Sequence, residues 1–341
     1  MLETIWFLLW GILWAIYFML DGFDLGLGTL MQFIAKSDTE RRIVYNAMGP
    51  FWDGNEVWLV TAGGVTFAAF PTTYAVMFST LYAPLLIILF GLIIRAVSFE
   101  FRGKLDSPAW RKLWDTCLFV GSFIPALLFG VAFANIFRGI PFDDRGLFHG
   151  NLLSLLNPYG IVGGVLFVLL FLVHGAIWLA VKTEGPLHER ASSAAAKLWL
   201  ALLAVALVFL IATWFATPLY ANYLAHPLLF LLPVVTVAAL LANRLCMARK
   251  AWWTAWSMSA LTIVTATMFG VIGLYPNLYP SSLNPAYSLT AFNSASSRPT
   301  LTIMLVVALI FVPIVILYQG WAYYLFKDKV TAAYVESDGV Y

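Results

Sequence analysis

Charge is the scarcest property of this chain. Asp, Glu, Lys and Arg together supply 11% of its 341 residues, well under the roughly 25% of an ordinary soluble domain. Cysteine is nearly absent: Cys117 and Cys246 fall in separate apolar runs, so neither a disulfide framework nor a Cys-based metal site is expected. Of the four histidines only His174 lies within a hydrophobic run. A low-spin haem normally takes a second axial ligand, so a hydrogen-bonded packing role is the expectation for His174. His149, His188 and His226 sit in loops or at run ends, where nothing argues for a metal. No HExxH, Walker A or Rossmann glycine pattern occurs, and no soluble catalytic triad can be assembled. Neither a resident metal nor a nucleic-acid partner is expected.

Hydrophobicity is what the chain has instead. Sixty-two per cent of its residues are hydrophobic and its mean hydropathy is +0.87, the composition of a polytopic helical membrane protein. Apolar runs at 5–34, 54–70, 74–101, 115–137, 159–181, 198–217, 227–246, 256–275 and 301–326 each approach or exceed the ~20 residues that cross the hydrocarbon core. Pro71-Thr72-Thr73 alone parts the second from the third, so a merged count of eight spans competes with nine.

Charge decides between them. With nine spans, one side collects Lys36, Arg41 and Arg42; Arg102, Lys104, Arg111 and Lys112; Lys182, Arg190 and Lys197; Arg244, Arg249 and Lys250; and Lys327 and Lys329. That is 15 of the 19 basic residues. The other side has Arg138, Arg145 and Arg298, and Arg95 lies within the third span. This is the positive-inside pattern at every turn, and merging the runs would split the two most basic loops. The expectation is an all-α protein of nine transmembrane helices, N-terminus outside and C-terminus cytoplasmic. Residues 1–330 form one integral membrane domain and 331–341 a short cytoplasmic tail. Residues 4–20 are hydrophobic like a signal sequence but lack a basic n-region and a small-residue cleavage site, so they read as a retained helix. The loop 276–299, rich in Pro, Ser and Asn, reads as an irregular extracytoplasmic cap.

Against this background a few polar residues stand out. Asp21 and Asp24 lie in the middle and inner half of the first span, where each ionised carboxylate facing lipid would cost roughly 2.5–3.5 kcal/mol. They must face protein or water, pair with a cation, or carry a proton, and intramembrane acids are candidates for moving protons or ions. Three residues apart, they project to one side of a helix. Gly22 and Gly26 allow another helix close approach there. The plainer reading is a buried polar contact that locks helices together. Asp53, Asn55 and Glu56 follow Gly49-Pro50 at the cytoplasmic mouth of the second span. They read either as a helix N-terminus favoured by its dipole or as a proton entry. Trp52 and Trp58 suit an interfacial belt better than quinone stacking. Arg95 either snorkels to the cytoplasmic interface or pairs with Asp24, Glu100 or a partner group.

Several motifs carry a resemblance. Asp21-Gly-Phe-Asp-Leu-Gly, Thr39-Glu-Arg-Arg, Phe51-Trp-Asp-Gly-Asn-Glu-Val-Trp-Leu-Val-Thr-Ala-Gly-Gly, the stretch Arg95 to Arg102, Gly121-Ser-Phe-Ile-Pro, Leu156-Asn-Pro-Tyr-Gly and Val312-Pro-Ile-Val-Ile-Leu-Tyr together resemble subunit II of the cytochrome bd-type quinol oxidases, in order and over nearly the whole chain. The resemblance implies two four-helix bundles plus a peripheral helix, no haem in this chain, and a larger subunit I carrying two b-type haems and one d-type haem. The implied complex oxidises quinol and reduces dioxygen to water. It takes its protons from the cytoplasm and is electrogenic without pumping, in a bacterial or archaeal cytoplasmic membrane. Small single-helix accessory subunits and membrane lipid are further implied partners. By the same resemblance Asp53 matches an acid on the proton path toward the haem of subunit I, and Asp21 and Asp24 match an acidic pair of less settled role. Trp52 matches a contact to a structural quinone. Glu56 and His174 stand where other members have Gln, so neither is required for proton transfer or haem ligation. From the residues alone, a stand-alone proton- or cation-coupled transporter is the alternative, although no paired discontinuous helices mark a midplane substrate site.

Overall fold

A computed structural model describes residues 1–336; residues 337–341 of the expected tail, Asp338 among them, lie outside the described residues. The chain is mostly helical. Helices α1 (Leu2–Ile34), α2 (Asp38–Met48), α3 (Trp52–Ala69), α4 (Pro71–Thr80), α5 (Tyr82–Phe101) and α6 (Pro108–Arg138) are followed by α7 (Pro158–Lys182), α8 (Gly185–Ala216), the short α9 (Ala221–Ala225), α10 (Leu231–Ala248), α11 (Trp252–Leu274), α12 (Arg298–Leu325) and the single turn α13 (Ala332–Val335). Eight segments are long and apolar enough to cross a membrane: α1, α5, α6, α7, α8, α10 with its preceding turn, α11 and α12. Helix α3, the second expected span, is long enough at 18 residues but falls short in apolarity, because Asp53, Asn55 and Glu56 crowd its first turns.

Helix α1 is the hub. It packs on α3, α6, α7 and α11, while α5 lies on α6, α8 on α7 and α10 on α11. The closeness of α1 and α7 follows from glycine. A Cβ at Gly175 would stand 2.7 Å from the Leu27 amide nitrogen, and one at Gly26 would collide with the Phe171 carbonyl. The small residues beside Asp21 and Asp24 therefore do admit a neighbouring backbone. Helix α12 is the outlier. Only 6% of its most apolar window is buried, against 72% for α7.

Two expectations about the elements change. The third run is not one helix: α4 ends at Thr80, Leu81 is its C-cap, and α5 begins at Tyr82. The Thr80 hydroxyl returns to the Val76 carbonyl at 2.8 Å, and Pro84 sits in the first turn of α5, where its missing N–H is tolerated. The connection after α1 is not merely a loop, since Ser37 caps α2 by accepting from the Glu40 amide. The connection between α11 and α12 contains a small antiparallel pair, Asn277–Tyr279 with Leu289–Thr290.

Long-range bonds sort the connections into two ends. At one end, Asp38 meets Arg102, Arg41 meets Asp115, and Arg190 meets Glu40. At the other, the Ser296 amide donates to the Ala69 carbonyl, Thr73 bonds Ser294, and the Ser282 amide donates to the Ile140 carbonyl. Helix α3 thus runs from the basic end to the opposite end, and α4 and α5 return.

Candidate functional site

The polar residues singled out above converge on the basic half of α1. Asp21 and Asp24 are fully buried, as are Arg95 and Asn55. Arg95 is positioned by close packing of α5 on α6, where a Cβ at Gly121 would stand 2.8 Å from the Arg95 amide nitrogen. Its Nη1 donates to Asp21 Oδ1 at 2.7 Å and its Nη2 to Glu56 Oε2 at 3.0 Å. Arg95 therefore does not snorkel, and its bonded partners are neither Asp24 nor Glu100. The reason is rotational: three residues on a helix turn the side chain by about 60° from the starting direction. Asp21 consequently faces α5 while Asp24 faces α3. Glu100 is exposed near the end of α5.

Asp24 is bonded to a neutral side chain. Asn55 Nδ2 donates to Asp24 Oδ2 at 2.8 Å and more weakly to the Leu20 carbonyl at 3.3 Å. The Tyr323 hydroxyl of α12 donates to Asn55 Oδ1 at 3.0 Å. Asp21 Oδ2, Asp24 Oδ1 and Arg95 Nε have no hydrogen-bond partner among the described residues. Buried polar atoms are nearly always satisfied; here two carboxylate oxygens and one guanidinium N–H are left over in a single cluster.

Asp53 lies one turn closer to the surface. It occupies the first turn of α3 and is exposed. Phe51 holds the N-cap position and no side chain caps the helix, so Asp53 does not cap; its charge is favoured there only by the helix dipole. Glu56, three residues on, is 22% exposed and bonded to Arg95. The result is a polar file from exposed Asp53, past half-buried Glu56 and Arg95, to buried Asp21, with Asn55 linking the same helix turn to Asp24.

Trp52 stacks on Phe99 with ring centroids 5.0 Å apart and planes 10° apart. One ring face is thereby occupied, and a quinone would meet only the other. His174 has both ring nitrogens engaged, Nδ1 with Ser259 Oγ and Nε2 with the Met19 carbonyl, each at 3.0 Å. Its ring stacks on Trp256. That set fits a packing role and does not fit haem ligation, which would need a free nitrogen. Among the described residues no group of three His, Cys, Asp or Glu side chains could hold a metal ion.

Sequence reasoning set Glu56 aside, placed Asn55 at the helix mouth without its bond to Asp24, and overlooked Tyr323. Glu56 was readable as Asp53 plus three, an inward step on a helix; Tyr323 gave no signal, because its contact depends on where the last helix docks. A third buried acid was passed over. Asp115, fully buried on α6, accepts from Arg102 Nε at 2.7 Å and Arg41 Nη1 at 2.6 Å. It stood at the first position of its apolar run, which was signal enough.

The chain matches the family model for cytochrome bd terminal oxidase subunit II over residues 2–326. It is 38% identical over 332 residues to cytochrome bd ubiquinol oxidase subunit 2 of Bacillus subtilis (strain 168), covering 97% of each chain. It is 36% identical over 370 residues to cytochrome bd-I ubiquinol oxidase subunit 2 of Escherichia coli (strain K12), covering 98% of this chain and 97% of that one. In fold it is similar to a chain of the bd oxidase structure from Geobacillus thermodenitrificans, with a TM-score of 0.76, 20% identity and coverage of 95% of this chain and 99% of that chain. These relatives are bacterial and none supports an archaeal setting. The likeness does not favour a stand-alone transporter. This multi-pass bacterial inner-membrane protein, one subunit of an oxidoreductase complex with a partner subunit I, belongs to the cytochrome bd oxidase subunit II family.

Proposed function

We propose that this chain is the haem-free subunit of a two-subunit quinol oxidase and supplies a cytoplasmic route for the protons consumed when dioxygen is reduced to water. Asp53 is the entrance, Glu56 the next acid inward, and the cluster Asp21–Arg95–Asn55–Asp24 the buried relay. Subunit I carries the two b-type haems and the d-type haem. The complex is electrogenic because its protons come from the cytoplasm, without a pump. Trp52 offers its free face to a structural quinone, and small single-helix subunits are further partners.

The observation that carries this reading is the polar file itself. An exposed acid at one end of α3 stands one helical turn from a carboxylate bonded to a fully buried arginine, and buried charge of this kind in a membrane protein marks a functional path by default. The topology supports the direction. The basic end, where Asp53 lies, is the cytoplasmic side by the positive-inside rule, and nine crossings follow if α3 is counted with the eight apolar helices. The single membrane domain is then 1–330 with 331–341 in the cytoplasm. Helices α1, α3, α5 and α6 form one bundle, α7, α8, α10 and α11 the other, and α12 is peripheral.

Asp53→Asn in the purified complex tests the entrance. Turnover is expected to fall by about tenfold or more, with the reduced-minus-oxidised haem spectrum unchanged. Parental turnover would show that Asp53 serves only the helix dipole.

A further inference from the structure

Helix α12 poses a question the proton route does not answer. Leu301 is its one buried residue, yet its last turns spend polar side chains on the rest of the chain. Gln319 Oε1 accepts from Trp58 Nε1 at 2.8 Å, Gln319 Nε2 donates to the Gly54 carbonyl at 3.0 Å, and Tyr323 donates to Asn55. Four residues apart, Gln319 and Tyr323 share one face, and every bond lands on the first turns of α3. Just beyond, Lys182 Nζ donates to the carbonyls of Phe326 and Asp328. The helix end is pinned around Asn55.

We infer that Tyr323 is a positioning residue for the buried carboxylate Asp24, acting through the amide of Asn55; this rests on the proton-uptake reading above. The argument is one of donor and acceptor parity. An amide has an end that only donates and an end that only accepts, a carboxylate only accepts, a carboxylic acid also donates, and a phenol does both. With Asp24 ionised, Asn55 must present its NH2 to Asp24 and its carbonyl to Tyr323, which donates. That is the arrangement observed. When Asp24 takes a proton, its O–H can donate to a flipped Asn55 carbonyl, and the NH2 then needs an acceptor on the α12 side, which the Tyr323 oxygen supplies. Tyr323 keeps Asn55 bonded in both protonation states, and so the relay can pass between them without stranding a buried amide, a loss that typically costs about 1–3 kcal/mol. The groups that face Asp24 are Asp21 on its own helix, Arg95 from α5, Glu56 from α3 and Tyr323 from α12. From α7, His174 bonds the Met19 carbonyl five residues away.

The Tyr323 ring is independently held. It packs on Phe51 with centroids 4.5 Å apart and lies beside Phe23, Trp178 and Trp256. Tyr323→Phe therefore removes the hydroxyl and leaves the packing. In the purified two-subunit complex, this variant is expected to lower turnover by up to about tenfold and to displace the pH–rate profile, with haem spectrum and thermal inactivation temperature unchanged. Gln319→Ala, which removes two pins from the same helix without touching Asn55, is expected to leave the profile in place. Tyr323→His, which keeps a donor and an acceptor on a ring, is expected to move the profile back toward the parental one. If Tyr323→Phe does not assemble, Tyr323→His against Tyr323→Met makes the same comparison. A Tyr323→Phe profile superimposed on the parental one overturns the role of Tyr323. So does an equal displacement by Gln319→Ala, which would assign the effect to helix docking. Asp24→Asn separates the two levels: parental turnover there removes the proton reading itself, whereas slow Asp24→Asn with unchanged Tyr323→Phe removes only this inference.

Discussion

At the scale of single residues, Arg95 shows what the membrane does to charge. Its guanidinium is fully buried and bonded by two carboxylates on different helices. Removing one member of such a group strands the others, at a typical loss of about 3–5 kcal/mol. Arg95→Leu is therefore expected to give little assembled complex and a lower inactivation temperature. Arg95→Leu combined with Asp21→Leu should recover part of that loss, because no unpaired Asp21 charge remains. A double variant at least as unstable as the single would count against the pairing. The cost of intramembrane charge made Asp21, Asp24 and Arg95 legible in the sequence. Which acid meets the arginine was not, because that depends on how α5 and α3 are rotated about α1. Tyr323 was less legible still, being uncharged and lying in a helix that reads as lipid-facing.

At the scale of elements, hydrophobic runs fixed where most helices lie, and their ends were misjudged wherever polar chemistry sets the boundary. Helix α2 is the plainest case. Ser37-Asp38-Thr39-Glu40 has the Ser-x-x-Glu spacing of a helix start, overlooked beside the long apolar runs. Its Glu40 Oε2 accepts from the Lys36 amide at 2.6 Å, Oε1 pairs with Arg190 of α8, and Arg190 Nε donates to the Ile34 carbonyl. Burial pushes the Glu40 carboxyl up, but the Lys36 amide and the Arg190 guanidinium outweigh it and hold it below the usual 4.5. A depressed carboxylate stabilises the docked helix above its unfolded pKa, and that contribution is lost as pH falls through the lower folded value. Hydrogen exchange of residues 36–48 in the purified complex should therefore quicken as pH drops below about 4.5, after correction for intrinsic rates. In Glu40→Gln, exchange should already be faster at neutral pH and respond less to acid. Equal protection in both proteins across that range would mean the Glu40–Arg190 contact does not hold α2.

At the scale of the whole molecule, the open question is whether α3 crosses the membrane, and charge and geometry agree where hydropathy alone does not. Its 18 residues rise about 27 Å at 1.5 Å each, close to the ~30 Å hydrocarbon core. Its low apolarity comes from Asp53, at the exposed first turn, and from Asn55 and Glu56, whose polar atoms meet Asp24, Tyr323 and Arg95 rather than lipid. A hydropathy average counts such residues as if they faced hydrocarbon and so underrates any helix whose polar side is spent inside. The long-range bonds lead to the same topology. Asp38, before α3, lies 2.7 Å from Arg102, after α5, so the intervening chain must leave one end of the molecule and return to it. Single cysteines at Thr39, Asp106 and Ser282, with Cys117 and Cys246 changed to Ser, turn that geometry into a measurement with a membrane-impermeant thiol reagent. In sealed right-side-out cells, Ser282→Cys should react at once, while Thr39→Cys and Asp106→Cys should both react only after permeabilisation. Thr39 and Asp106 reporting opposite sides would mean that α3 does not cross, and Asp53 could then no longer stand at a cytoplasmic entrance fixed by nine spans.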